Sequence, residues 1–451
     1  MKSHTLIILL LVGLLRSMVS AEDWQAGSAK VSITPQQPMW MSGYGGRNKP
    51  AEGTLHDLWA KVLVLKDPSG TPAVFVSLDL VGVSRDVALP ICEAIQQAHG
   101  IKRSQIALFT SHTHTGPVVG SNLSAMYFLD EAQQKLVNDY AATLTRVIPQ
   151  AVAKAFAGLK PAQVSYGIGS AGFAVNRRNN READVPRLRE AGQLQGPVDH
   201  AAPVIAVRDQ AGKLQTVVFG YACHATVLSF YQWSGDWPGF AQIEIEKRHP
   251  GVMALFMAGC GADQNPLPRR TVELAAGYGK QMADAVDQVL AMEMTGLKGG
   301  LKSVWTEIPL ALAKLPSKEA IQKDAESSQK FIAGRAKQLL RRIEAEGQLS
   351  QTYPYPVQTW NLGGLRLVIL GGEVVVDYSL RLKNEFPETP LFVCGYSNDV
   401  MAYIPSVRVL KEGGYEGASS MIYYGQPTVW SEQVESHIVK TIHSQLKRVA
   451  P

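Results

Sequence analysis

The sequence predicts an α/β fold of mixed sheets with flanking helices, and three observations predict it. Apolar runs of strand length recur and end in polar or glycine-rich corners, as at 60–65, 106–111, 214–221 and 252–257. Between them lie longer stretches with apolar residues at helical spacing, above all 131–157 and 273–292. The third is composition: 46% hydrophobic and 18% charged residues over 451 positions is globular and can fill a large core in one extended domain.

Taken in order, the chain opens with Lys2, an apolar run from Leu6 to Leu15, and Val19-Ser20-Ala21 before the first acids at Glu22 and Asp23. A basic start, a short apolar core and small residues before a cut describe an export leader over 1–21. The expected mature chain is therefore 22–451, secreted or periplasmic, and the leader's apolar run is too short to span a bilayer. Removing it takes away Lys2 and Arg16 and lowers the formal charge from +5 to +3. So weak a bias, without basic blocks, makes no case for nucleic acid.

Residues 28–36 and Met41-Ser-Gly-Tyr-Gly-Gly-Arg47 read as an irregular start. Strands at 60–65 and 73–80 joined through Asp67-Pro-Ser-Gly70 read as a hairpin, and Ser84 can cap a helix that runs to His99 and stops at Gly100. A strand at 106–111, a helix at 131–157 and a strand at 163–175 follow. The stretch 178–193, dense in Arg, Asn and Glu without apolar period, reads as a surface loop. A second hairpin, 203–208 with 214–221, delivers Ala222-Cys-His-Ala-Thr226, and Ser234-Gly-Asp-Trp-Pro-Gly239 reads as a tight loop. Strand 252–257 ends in Gly259-Cys-Gly-Ala-Asp-Gln-Asn-Pro266, followed by the helix at 273–292. Residues 317–346 read as one long amphipathic helix, an outer layer or lid, and Tyr353-Pro-Tyr-Pro-Val357 as a proline-stiffened rim. Strands at 363–370 and 390–394 and a last helix at 431–446 complete the chain, with no repeat and no linker to divide it.

The chemistry gathers where strands end. The run from Ile106 leads into His112-Thr113-His114 before Gly116-Pro117. A strand continued through that pair would put both imidazoles on one face. Nitrogen donors on a rigid element with an open loop after them suit zinc, although two hydrogen-bonded histidines are the structural alternative. His224, Asp263 and Glu373 occupy the same setting, an apolar strand ending in a polar corner, where α/β proteins collect side chains from distant segments. Repetition of one design favours the metal.

The order of motifs is Ser111-His-Thr-His-Thr-Gly-Pro117, Asn176-Arg177, Ala222-Cys-His-Ala-Thr226, Gly372-Glu373, Tyr396-Ser-Asn-Asp-Val-Met-Ala-Tyr403 and Tyr415-Glu-Gly417. It resembles the neutral/alkaline non-lysosomal ceramidase family over residues 28 to 425 or so, and implies that family's catalytic-domain fold. The resemblance implies zinc held by His112, His224, Glu373 and Tyr403, with His114, Arg177 and Tyr415 as further active-site groups. It implies hydrolysis of an N-acyl bond in a small-molecule or lipid amide such as ceramide, with peripheral contact with membrane lipid. Two departures stand out. Gly261-Ala-Asp-Gln-Asn-Pro266 lacks the serine of the family's Gly-Asp-Val-Ser-Pro-Asn segment, so zinc-activated water is the expected nucleophile. The sequence also ends a few tens of residues after Tyr415, so the family's C-terminal immunoglobulin-like domain is expected to be absent.

Zinc in such a donor set keeps positive charge, lowers the pKa of its water to roughly 7 and polarises a carbonyl. His114 would exchange a proton, and the planar fork of Arg177 would hold an oxyanion, carboxylate or phosphate. Within Asn176-Arg-Arg-Asn-Asn-Arg181, a solvated loop charge is the alternative for Arg177. Two other functions remain open: a metallohydrolase on another ester or phosphoester, and a binding protein of the cell envelope that keeps the scaffold without turnover. Cys92, Cys223, Cys260 and Cys394 are far apart in apolar surroundings and read as buried free thiols, although export would allow one or two bridges.

Overall fold

The structure is a computed structural model that describes residues 24–450, so the expected leader at 1–21 lies outside the described residues. Runs rich in Val, Leu, Ile and Phe pair into a large sheet in the order Met253–Ala258, Leu214–Tyr221, Ala201–Asp209, Lys160–Ser170, Trp24–Ser32, Trp59–Lys66, Pro72–Leu78 and Ile106–Thr110. Only the outermost pair at each end is parallel. Parallel neighbours need a crossover, and helices Arg85–His99 and Asp236–Arg248 supply one each.

A second sheet, Leu301–Ala311, Thr352–Leu362, Leu365–Leu370 and Leu391–Cys394, lies face to face with the first. Phe75, Phe109, Leu255, Trp360, Ile369 and Phe392 fill the space between them. Helices Arg85–His99 and Glu131–Ala157 cover one half of the large sheet's outer face, and Asp236–Arg248 with Val272–Ala291 cover the other. Val376–Glu385 and Val434–Arg448 close the outer face of the small sheet. Each aliphatic side chain fully buried in these layers contributes roughly 2 kcal/mol. The predicted class, α/β with mixed sheets and flanking helices, is the observed one. Among the described residues no helix is long and apolar enough to cross a membrane, and all four cysteines are buried free thiols.

Several elements differ from expectation. The irregular start is in part the strand Trp24–Ser32, paired along its length with Trp59–Lys66. Its pattern is weak because helix Glu131–Ala157 packs so near that a Cβ at Gly27 would run into the carbonyl of Ala155. The expected tight loop at 234–239 begins the helix Asp236–Arg248, where Pro238 lies in the first turn and costs no hydrogen bond. The proline-stiffened rim belongs to the strand Thr352–Leu362. Its Pro354 and Pro356 lie where the strand pairs on one side only, since pairing with Leu365–Leu370 begins at Val357. The long helix at 317–346 is two, Lys318–Ala325 and Lys330–Glu346. At the break the Ser327 hydroxyl accepts from the amide of Gln329, a local bond that competes with the helix.

Candidate metal centre

The strand through Ile106 ends at Thr110, so the histidine pair sits on the turn beyond it and the expected strand alternation does not apply. His112 has a left-handed backbone, φ 58°, a conformation that costs about 1–3 kcal/mol and is held by its surroundings. Thr113 forms a parallel bridge with Ala225, and the hydroxyls of Thr113 and Thr115 both donate to the Ser234 carbonyl at 2.8 Å. This stitching sets the turn beside the end of the second hairpin. His112, His114 and His224 converge, with His114 Nε2 3.1 Å from His112 Nε2. On the other side, residues Glu373 and Tyr403 are parallel partners in a two-residue ladder.

Glu373 Oε2 lies 3.1 Å from His112 Nε2 and 3.1 Å from His224 Nε2. The far nitrogens fix the tautomers: His112 Nδ1 is 2.6 Å from the Val81 carbonyl and His224 Nδ1 is 2.8 Å from that of Gly261. Each Nδ1 therefore carries the proton and each Nε2 presents a lone pair. Burial, with Arg177 adding to it, pushes His224 down to about 4, so its imidazole is neutral. Glu373 is buried between His112 and His224. Its buried Oε2 receives no hydrogen bond among the described residues. Lone pairs facing one another with no proton between them fit a cation, and nitrogen donors with one carboxylate suit a borderline-soft divalent ion. Tyr403 OH stands 3.3 Å from His224 Nε2.

Arg177 is no solvated loop charge. Its Nε donates to Glu416 at 2.7 Å, Nη1 to Asn265 at 3.2 Å and Nη2 to Tyr403 OH at 3.1 Å. Three of the five N–H groups of a guanidinium are thereby used, and two remain. Tyr415, 39% exposed, stands with its ring 5.3 Å from that of Tyr403. A cavity of about 670 Å³ opens over the centre, lined by Tyr44, His114, Arg177, His224, Tyr403 and Tyr415. The expected surface loop at 178–193 forms part of its wall through Arg178 to Glu182, and continues into the short helix Val185–Glu190.

Some residues at the centre were given no site role by the sequence, Tyr396 among them although it heads a quoted motif. Tyr424 donates to Glu373 Oε1 at 2.5 Å and fixes the carboxylate's other oxygen, and Tyr396 packs its ring 4.4 Å from that of His112. Tyr44 stands edge-on to His114 at 4.8 Å. Its glycine-rich turn was the one available signal. Gly43 there has φ +92°, and a Cβ would come within 2.5 Å of the His114 ring. Gly43→Ala is expected to cost about 1–3 kcal/mol from backbone strain alone and to displace His114, read as a lower Tm together with lower activity.

The hexapeptide without serine is structural. Gln264 donates to the Ala222 carbonyl and accepts from the Asp199 amide at 2.9 Å. Asp263, fully buried, accepts from the Val376 amide at 2.9 Å and from Asn176 at 3.3 Å, while its carbonyl takes the Arg177 amide. Burial pushes its carboxyl up to about 6. Asp263→Ala would strand two buried donors at about 1–3 kcal/mol each, so a clear fall in Tm is expected in a thermal melt.

The family model described as neutral/alkaline non-lysosomal ceramidase, N-terminal, matches residues 24–263. The chain belongs to that family. Neutral ceramidase A of Dictyostelium discoideum is 26% identical over 269 residues, 56% of this ceramidase-family chain and 37% of that protein. Neutral ceramidase 3 of Arabidopsis thaliana is 26% identical over 223 residues, 48% of this chain and 30% of that protein. The matches thus span about a third of the curated relatives' length. The crystal structure of neutral ceramidase from Pseudomonas aeruginosa matches with a TM-score of 0.72 at 18% identity, over 94% of this chain and 74% of that one. A ceramidase complexed with C2 matches at 0.73 and 18%, over 95% and 76%. The ceramidase fold therefore extends through the C-terminal half, beyond the family model's reach.

Proposed function

We propose that this protein is an exported, zinc-dependent amide hydrolase that cleaves the N-acyl bond of a ceramide-like lipid amide, with residues 22–451 acting as one catalytic unit. The observation that carries the reading is the buried cluster of His112, His224 and Glu373, with Nε2 and Oε2 atoms facing one another beside an open cavity that His224 lines, in a chain of ceramidase family.

His112, His224, Glu373 and Tyr403 would hold the metal. When bound, zinc supplies a Lewis acid that polarises the acyl carbonyl and brings the pKa of water to roughly 7. The two free N–H groups of Arg177 hold the acyl oxygen as negative charge develops on it, and the hydroxyl of Tyr415 reaches the same region. His114, whose Nε2 lies 3.1 Å from His112 Nε2, takes a proton from the attacking water and gives it to the leaving amine. Glu416 and Asn265 keep the Arg177 fork aimed, and Tyr424 keeps the carboxylate of Glu373 aimed. None of these steps uses a serine, consistent with Gln264 standing in the hexapeptide.

The test is release of free acid and amine from a panel of N-acyl compounds, with and without a chelator. Turnover should vanish on chelation and return with zinc. Turnover that persists in metal-free protein would sink the proposal.

A further inference from the structure

The wall of the cavity carries more positive charge than its own carboxylates neutralise. Arg177 and Arg178 share Glu416, and Arg178 also pairs with Glu412 at 2.9 Å. Glu412 in turn pairs with Arg408. Arg269 takes Glu182 through Nε and Nη2. That leaves Arg181 on the wall and Arg270 beside it, both exposed, and among the described residues neither has a carboxylate within ion-pair distance. Arg181 lines the cavity. The Arg270 guanidinium lies 5.5 Å over the Tyr44 ring and donates to its hydroxyl at 3.2 Å, and that same ring rests against His114. Arg270 reaches this position from a backbone φ of +101°, which an arginine adopts only at a cost. Arg178 Nε is buried and has no acceptor among the described residues. Unneutralised cations beside a reaction site select what enters it.

We infer that the substrate is an N-acyl amide whose amine half carries an anionic group, such as a carboxylate or sulfonate, drawn by Arg181 on the cavity wall and by Arg270 behind Tyr44. The inference rests on the amide-hydrolase reading for its acyl bond, and on the charge of the wall for its anion. An aromatic edge for the hydrocarbon half runs from Tyr415 through Tyr423 and Phe331 to the exposed Phe128, each ring about 5–6 Å from the next, with Lys330 Nζ over the two phenylalanine rings.

Binding separates this proposal from the hydrolase reading. Calorimetric titration of the full exported chain with N-lauroylglycine and with neutral N-lauroylethanolamine should give roughly tenfold tighter binding of the anionic probe, a preference that shrinks with added salt. The double variant Arg181→Gln/Arg270→Gln should abolish the preference. Equal affinities, no binding of either probe, or a preference that survives in the folded double variant would overturn the subsite. Anionic preference without cleavage of either probe would uphold the subsite and count against the hydrolase.

Discussion

His112→Ala is expected to take the purified protein from one equivalent of zinc to none, and its hydrolytic rate down by at least about a thousandfold. The size follows from the several kcal/mol that a Lewis acid contributes to an acyl-transfer transition state, at about 1.4 kcal/mol for each factor of ten. His112 cannot be replaced locally. Its Nδ1 is committed to the Val81 carbonyl and its Nε2 lies 3.1 Å from Glu373 Oε2, so the variant leaves that carboxylate oxygen facing His224 alone. His224→Ala should behave alike. Metal content gives the direct readout, and a second comes from linkage: an ion that binds the folded state raises Tm, so zinc should stabilise the wild type and leave the variants unmoved. A full equivalent of zinc retained by His112→Ala would refute the donor assignment.

His114→Ala should separate metal from rate. If His114 moves a proton and does not ligate, the variant keeps its zinc and loses about a hundredfold to ten-thousandfold in kcat with KM little changed. The structure makes the test pointed, because the three histidines lie close enough for all of them to hold an ion. Loss of zinc with loss of rate would make His114 a ligand and transfer the open coordination position to the side of Tyr403. Unchanged rate would remove His114 from the mechanism.

Much of the fold was legible because the central strands are buried on both faces and read as continuous apolar runs, as at Met253–Ala258. What escaped was set by neighbours. Trp24–Ser32 is a strand because two partners and a helix close on it, and Thr352–Leu362 tolerates two prolines because one of its edges is free there. At the centre, histidine, glutamate and tyrosine candidates could be named from strand-end corners and motif order. Tyr424 could not, since it sits in no pattern, and Glu416, although it stands inside Tyr415-Glu-Gly417, carried no local sign that it would hold an arginine.

By itself the sequence determined the alternation of strands and helices, the donor types and the corners that carry them, since these follow from local periodicity and turn chemistry. Only the tertiary structure decided that His112 turns through a left-handed backbone to face Glu373 and that Arg177 is clamped by Glu416 and Asn265. Those outcomes depend on bridges between segments a hundred or more residues apart, Thr113 with Ala225 among them, and no local pattern encodes which distant loop will lie alongside.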